Sequence, residues 1–173
     1  PLLALEGGAL TLERARHAAA EVVAARALGR GRVVGLDRAE ELRVRHRREA
    51  GIAFVPQDRQ SEGLLLDATL WENAALGHQT KRPFSKGFWL DRSGARERTE
   101  HIRSEFDVRS PGVEVTARAL SGGNQQKLII GREMTAEPLV LVAAHPTRGI
   151  DVGAQADVWN DIRAARSNGL ATL

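Results

Sequence analysis

The chain has 173 residues, enough for one hydrophobic core, so we expect a single domain with at most one subdomain. Its hydrophobic content of 42% is ordinary for a soluble globular protein, and its net charge of +3 is too small to indicate nucleic-acid binding. The lack of cysteine excludes disulfides and thiolate metal sites and suits a cytosolic protein, and we expect neither a signal peptide nor a membrane span.

The first third of the chain alternates short apolar runs with polar ones. The pattern predicts strands at Leu2–Leu5 and Arg32–Leu36 and a helix over Thr11–Leu28. Arg38–Glu49 reads as a polar connector or a helix, and Gly51–Val55 as a buried strand that stops at a proline.

A basic run interrupts this region. It comprises Arg43, Arg45, Arg47 and Arg48 with His46 between them. Because no aromatic residues alternate with these charges to stack on bases, we interpret the run as a solvated face and expect no nucleic-acid partner.

The middle of the chain is rich in helix signals. A polar loop over residues 57–63 is followed by Thr69–Leu76, where Thr69 and Glu72 have the spacing of a capping box. A second helix is predicted from Asp91 or Ser93 to about Phe106. Breaks are expected at residues 83–87 and 111–112, and a third helix follows a Ser-Gly-Gly turn and ends before residue 138. We therefore predict a strand-free helical insertion over residues 64–135.

The last part returns to the strand and helix alternation. Leu139–Ala143 is short and apolar enough for a central parallel strand, and Ala154–Ala165 is predicted to be helical. Leu170–Leu173 begins a further strand. Strands alternating with helices indicate an α/β fold with a parallel sheet.

The turn before the third helix has the chemistry of a phosphate site. Gly122 and Gly123 lack the Cβ that would keep a ligand from the backbone, and the first N–H groups of a helix favour an anion. Ser121 adds a hydroxyl. The sequence thus predicts that this turn is a phosphate-binding site with almost no fixed positive charge of its own.

The whole run LSGGNQQK (Leu120–Lys127) resembles the signature of ATP-binding cassette (ABC) proteins, in the form found in sugar and nucleoside importers. The resemblance implies an incomplete P-loop NTPase (RecA-like) fold with an inserted helical subdomain. It also implies that Ser121, Gly122, Gly123 and Gln125 bind ATP, gripping the γ-phosphate of a nucleotide held by an opposing domain.

Two further segments match the same family in the same order. Residues 51–59 resemble the Q-loop region, which places Gln57 where the family senses ATP and Mg²⁺. Residues 146–154 resemble the D-loop, which implies that Asp151 contributes to ATP binding across the dimer interface. Asp151 also has the sequence context of a helix N-cap, and both roles are compatible.

A third segment departs from the family pattern. The family strand usually ends in Asp-Glu, which support Mg²⁺ and polarise the attacking water, whereas this chain has Ala144 and His145. A methyl group cannot support a metal ion. His145 could accept a proton as a base, or it could simply cap a buried strand end. This variant looks most like the second, degenerate cassette of such importers.

Other family features are missing from the sequence. No segment matches the P-loop pattern G-x-x-x-x-G-K-S/T, and the chain stops within the strand that would lead to the switch histidine. We expect residues 1–63 to form the first part of the core, with 1–30 atypical. Residues 64–135 would form the helical subdomain, and 136–173 the truncated return to the core.

The resemblance implies an ATP-binding subunit of a sugar or nucleoside importer, with ATP and Mg²⁺ as cofactors. Its partners would be a second nucleotide-binding domain, in the same chain or as a dimer, a membrane permease and, indirectly, a substrate-binding protein. It would lie in the cytoplasm at the inner face of the plasma membrane. The alternative is a binding or regulatory module that does not hydrolyse ATP alone. A soluble ABC protein of translation or repair fits less well, because such proteins carry complete cassettes.

Overall fold

The computed structural model describes residues 44–173. The predicted strands Leu2–Leu5 and Arg32–Leu36 and the helix Thr11–Leu28 lie outside the described residues. Helix α1, Val44–Glu49, confirms the helical interpretation for the end of the polar segment before the first described strand.

A parallel sheet contributes buried strands to the hydrophobic core. Within residues 44–173 it has the order β1 (Ile52–Val55), β4 (Val140–Ala143) and β5 (Ala171–Thr172), with both pairs parallel. Val140 and Leu141 are fully buried, as expected for a central strand. The predicted α/β architecture with a parallel sheet is confirmed.

The helical part begins with α2, Leu70–Ala75, and α3, Arg92–Glu105. The capping box is confirmed: the N–H of Thr69 donates to Glu72 Oε2 at 2.8 Å, and the N–H of Glu72 donates to Thr69 Oγ1 at 3.4 Å. Of the two predicted starts for α3, the structure selects Asp91 as the N-cap residue.

The prediction that residues 64–135 lack strands is wrong. They contain a hairpin of β2 (Ser85–Lys86) and β3 (Trp89–Leu90), and a bridge between Thr69 and Thr116. Strands of two residues are too short to show alternation in the sequence. The 57–63 segment also differs from an irregular loop, since Arg59–Gly63 forms a π-helical turn.

Helix α4, Gly122–Met134, is the centre of this part of the molecule. It follows a short 3₁₀ turn, Ala117–Ala119, and its residues from Gln125 to Glu133 are buried. It packs against α2, α3, β1 and the last long helix, α5 (Val152–Ser167). Helix α5 extends the predicted Ala154–Ala165 helix by two residues at each end.

Within residues 44–173, no helix combines the length and the apolar character needed to cross a membrane.

Candidate functional site

The Ser-Gly-Gly turn forms the start of α4. Ser121 is the N-cap residue, with an extended backbone (φ −63°, ψ 159°) and an exposed side chain. Its Oγ accepts hydrogen bonds from Asn124, at 3.0 Å from Nδ2 and 3.4 Å from the backbone N. Asn124 Oδ1 in turn accepts from the N–H of Arg109 at 2.9 Å. These bonds hold the turn so that the first N–H groups of α4 point out of the helix.

Asp151, which the resemblance places in a D-loop, lies beside this turn. It is the N-cap of α5, and its Oδ1 accepts from the N–H of Ala154 at 2.9 Å. That hydrogen bond holds the pKa of the Asp151 carboxyl below its usual value. A Cβ on Gly123 would lie 2.8 Å from Ala154 Cβ and 3.3 Å from Asp151 Oδ2. The structure therefore brings the two motifs together, and the N-cap role of Asp151 is confirmed.

Arg59, which the sequence reasoning did not single out, joins three segments. Its Nη1 donates to the carbonyl of Arg148 at 2.8 Å and its Nη2 to that of Gly149 at 3.1 Å. A Cβ on Gly122 would lie 2.7 Å from the same Nη2. The guanidinium thus holds the D-loop against the start of α4, and it adds the fixed positive charge that the turn's own residues lack.

The π-helical turn positions Arg59. Asp58 caps this turn by accepting from the N–H groups of Gln60 at 3.0 Å and Ser61 at 3.2 Å. Hydrogen bonds from Ser61, led by its side chain, lower the pKa of the Asp58 carboxyl. The sequence shows the polar Asp58-Arg59 pair, but no local pattern predicts that Arg59 contacts Arg148, 89 residues away.

Gln125, expected to bind ATP, has a buried side chain. Its Nε2 donates to the carbonyl of Ala117 at 3.1 Å, and its Oε1 accepts from Gln60 Nε2 at 3.3 Å. The amide therefore links α4 to the 3₁₀ turn and the π-helical turn. Its direct role in binding ATP stays a prediction.

Gln57 and His145 lie at the same edge of the sheet. Val55 is opposite Ala143 in the β1–β4 pair, and the N–H of Ala144 donates to the carbonyl of Val55 at 2.9 Å. Both side chains follow the carboxyl ends of adjacent parallel strands, where ligands bind in open α/β sheets, and both are exposed. His145 has a left-handed backbone, with φ +50°. Sensing by Gln57 and catalysis by His145 stay predictions.

The end of β4 carries no carboxylate for Mg²⁺, and a role of Gln57 at the metal stays a prediction. Magnesium prefers carboxylate and water oxygens, and Ala144 offers no ligand atom at the strand end. Within residues 44–173, no group of three or more His, Cys, Asp or Glu side chains is arranged to hold a metal ion.

A buried ionic cluster lies at the other end of α4, in its last turn. Arg48 donates two hydrogen bonds to the carboxylate of Glu133, at 2.9 and 3.0 Å, and Arg132 Nε donates to it at 3.0 Å. Arg132 Nη1 also donates to the carbonyl of Gly63 at 3.0 Å. Beside the cluster, burial and the charge of Arg48 lower the pKa of His78 to about 4. Glu133 was missed, although an acidic residue next to an apolar helical stretch is a signal for a buried pair.

Comparison with known proteins supports the resemblance. No protein-family model matches the chain. It is 45% identical over 125 residues to the guanosine import ATP-binding protein NupO of Bacillus subtilis (strain 168), covering 72% of this chain and 24% of that protein. It is 43% identical to the nucleoside import ATP-binding protein NupA of Lactococcus lactis subsp. cremoris, covering 72% and 25%. It is 42% identical to the ribose import ATP-binding protein RbsA 1 of Streptomyces avermitilis, and the match covers 72% of this chain and 23% of that protein. The chain spans about a quarter of the length of these relatives.

Solved structures give the same fold. A dimeric ATP-binding cassette in a post-hydrolysis state, bound to ADP and Pi, matches with a TM-score of 0.60 at 21% identity, over 80% of this chain and 55% of that one. A cassette in its ADP conformation matches with a TM-score of 0.55 at 25% identity, over 75% and 52%. These likenesses show the fold of a P-loop NTPase cassette, present here in part.

Proposed function

We propose that this chain contributes its signature turn and D-loop to ATP held by an opposing cassette. The chain belongs to the ATP-binding cassette family of sugar and nucleoside importers. The observation that carries the proposal is the contact between two helix starts. A Cβ added to Gly123 at the start of α4 would lie only 2.8 Å from the Cβ of Ala154 in the first turn of α5, and 3.3 Å from Asp151 Oδ2.

The chemistry of this junction suits a phosphate. Bound ATP would supply a γ-phosphate with negative oxygens. The N–H groups at the start of α4 favour such an anion, and a helix start contributes about 0.3–1 kcal/mol to an exposed negative group. The exposed hydroxyl of Ser121 can donate to it, and the guanidinium of Arg59 places a cation within contact of Gly122. Asp151 holds the second helix start in register beside it.

A second candidate is a binding or regulatory module that does not hydrolyse ATP by itself, and Ala144 favours it. The chain carries no acidic residue at either of the two positions after β4 where the family places Asp and Glu. We therefore expect no turnover when the chain is incubated alone with MgATP. Robust hydrolysis by the purified chain would contradict this account, and His145→Ala would then test His145 as the base.

The wider assignment follows the relatives. Their names specify import of guanosine, nucleosides and ribose. We propose that the transported substrate is a sugar or a nucleoside. We further propose that the chain acts in the cytoplasm at the inner face of the membrane, with a permease, a second nucleotide-binding domain and, indirectly, a substrate-binding protein. We propose that Mg²⁺ is held with the ATP of the opposing cassette, because Ala144 offers no ligand atom at the end of β4.

A mixing experiment tests the central proposal. A cassette with an intact P-loop should hydrolyse ATP faster when this chain is added. Ser121→Arg should abolish the gain, because a guanidinium would occupy the place of the phosphate. Ser104→Arg, at an exposed serine of α3, is the matched control and should keep the gain. If both variants stimulate the partner equally, the role of the signature turn is wrong.

A further inference from the structure

The β2–β3 hairpin carries an exposed apolar end, which we call the aromatic tip: Phe88, Trp89 and Leu90. Phe88 is 105% exposed, Trp89 81% and Leu90 44%. Each aromatic side chain that stays in water lacks the stabilisation of about 1.5–3 kcal/mol that full burial would contribute. Three consecutive exposed apolar residues at one point of the surface are a candidate interaction site.

The tip projects from a firmly held base. Phe84 and Ser85 are buried at the start of the hairpin, and the N–H of Asp91 donates to the carbonyl of Phe84 at 2.9 Å. Gly87 in the turn has φ +67°, as a primed hairpin turn requires, and a Cβ there would meet no atom within 4 Å. The tip is therefore a convex feature that stands clear of the rest of the described chain.

Basic residues lie on the hairpin and just before its first strand. Lys81, Arg82 and Lys86 are exposed, and the register places Lys86 directly opposite Trp89, on the same face of the hairpin. Lys86 pairs with Asp91 at 2.7 Å while 73% of its side chain stays accessible. Within residues 44–173, neither Lys81 nor Arg82 forms an ion pair.

We propose that the aromatic tip docks directly on the headgroup region of an anionic phospholipid bilayer. Tryptophan favours the membrane–water interface, and lysine and arginine are attracted to anionic lipid while their stems cover apolar surface. A convex tip with exposed basic residues on the same hairpin and at its base matches a flat, negative and deformable surface. A protein partner would have to supply a concave pocket of matching shape. This contact goes beyond the proposed role in ATP binding and does not depend on the signature turn.

Vesicle sedimentation with the full chain tests the proposal. The chain should sediment with vesicles in which about a third of the lipid is phosphatidylglycerol, and far less with phosphatidylcholine alone. The double variant Phe88→Ser/Trp89→Ser should lose at least about tenfold in affinity for the anionic vesicles. Lys81→Gln/Arg82→Gln should lose about 25-fold, since each basic side chain near such a surface adds about fivefold.

Trp159→Ser, at a half-exposed tryptophan of α5, is the matched control and should bind like the wild type. Brominated lipid should quench the tryptophan fluorescence of the wild-type chain, and most of this quenching should disappear in Trp89→Phe. Equal unfolding midpoints for all variants would show that the substitutions leave the fold intact. Binding that is unchanged in the tip variant, or membrane association that appears only with a permease present, would overturn the proposal and assign the tip to a protein partner.

Discussion

The contact between the two helix starts predicts a measurable effect for Gly123→Ala. The added Cβ would lie 2.8 Å from Ala154 Cβ, in a place where side-chain flexibility cannot relieve it. Non-bonded carbon atoms prefer about 3.5–4.0 Å, so the start of α5 must move by about 1 Å. Overpacking of this kind costs about 1–3 kcal/mol, and the better helix propensity of alanine returns up to about 1 kcal/mol. We expect a net destabilisation of about 1 kcal/mol.

Two assays separate the structural and functional consequences. Urea denaturation should give a lower midpoint with an unchanged slope, and stimulation of a partner cassette should fall about tenfold, the effect of about 1.4 kcal/mol at the phosphate. Gly112→Ala is the control, because a Cβ there meets no atom within 4 Å. Wild-type stability and full stimulation by Gly123→Ala would refute the reasoning that these two starts form one rigid site.

Three other variants test the buried cluster at the end of α4 and the contacts of Arg59. Because burial holds the pKa of His78 at about 4, below its ordinary 6.5, the unfolded chain binds the extra proton as pH falls between these values. Stability should therefore drop by about 3 kcal/mol across that window in a pH series of urea melts, and His78→Gln should flatten the drop. Glu133→Gln removes the carboxylate that two arginines share and should cost about 3 kcal/mol, whereas Glu105→Gln, at an exposed position, should change the unfolding free energy by less than about 0.5 kcal/mol. Arg59→Met should lower partner stimulation about tenfold while costing only about 1 kcal/mol of stability; Arg118→Met, the exposed control, should leave stimulation unchanged.

Features governed by neighbours in the sequence could be predicted. The Thr69–Glu72 capping box depends on residues three positions apart, and Asp151 caps the helix that it precedes. The apolar runs that became β1 and β4 were short and uninterrupted, which is typical of buried parallel strands. These local signals were sufficient for the parallel sheet and the long helices of the described residues, but not for the β2–β3 hairpin.

Features governed by distant residues could not be predicted. Arg59 contacts carbonyls 89 and 90 residues away, and Glu133 meets Arg48 across 85 residues. Only the fold brings such groups together. The β2–β3 hairpin was missed for another reason, since its strands of two residues carry no periodicity. The glycine that begins its two-residue turn, Gly87, was the one local signal.

The most direct test of the central claim uses the lack of cysteine in this chain. Ser121→Cys would carry a unique thiol at the signature turn, and an opposing cassette would carry a unique cysteine beside its P-loop. The account predicts that a disulfide forms between the two cysteines in the presence of ATP, and that little disulfide forms with ADP. No disulfide should form when the thiol is moved to the exposed position of Ser104 in α3. Cross-linking that is independent of nucleotide, or equally efficient from position 104, would contradict the claim that this turn grips ATP held by another domain.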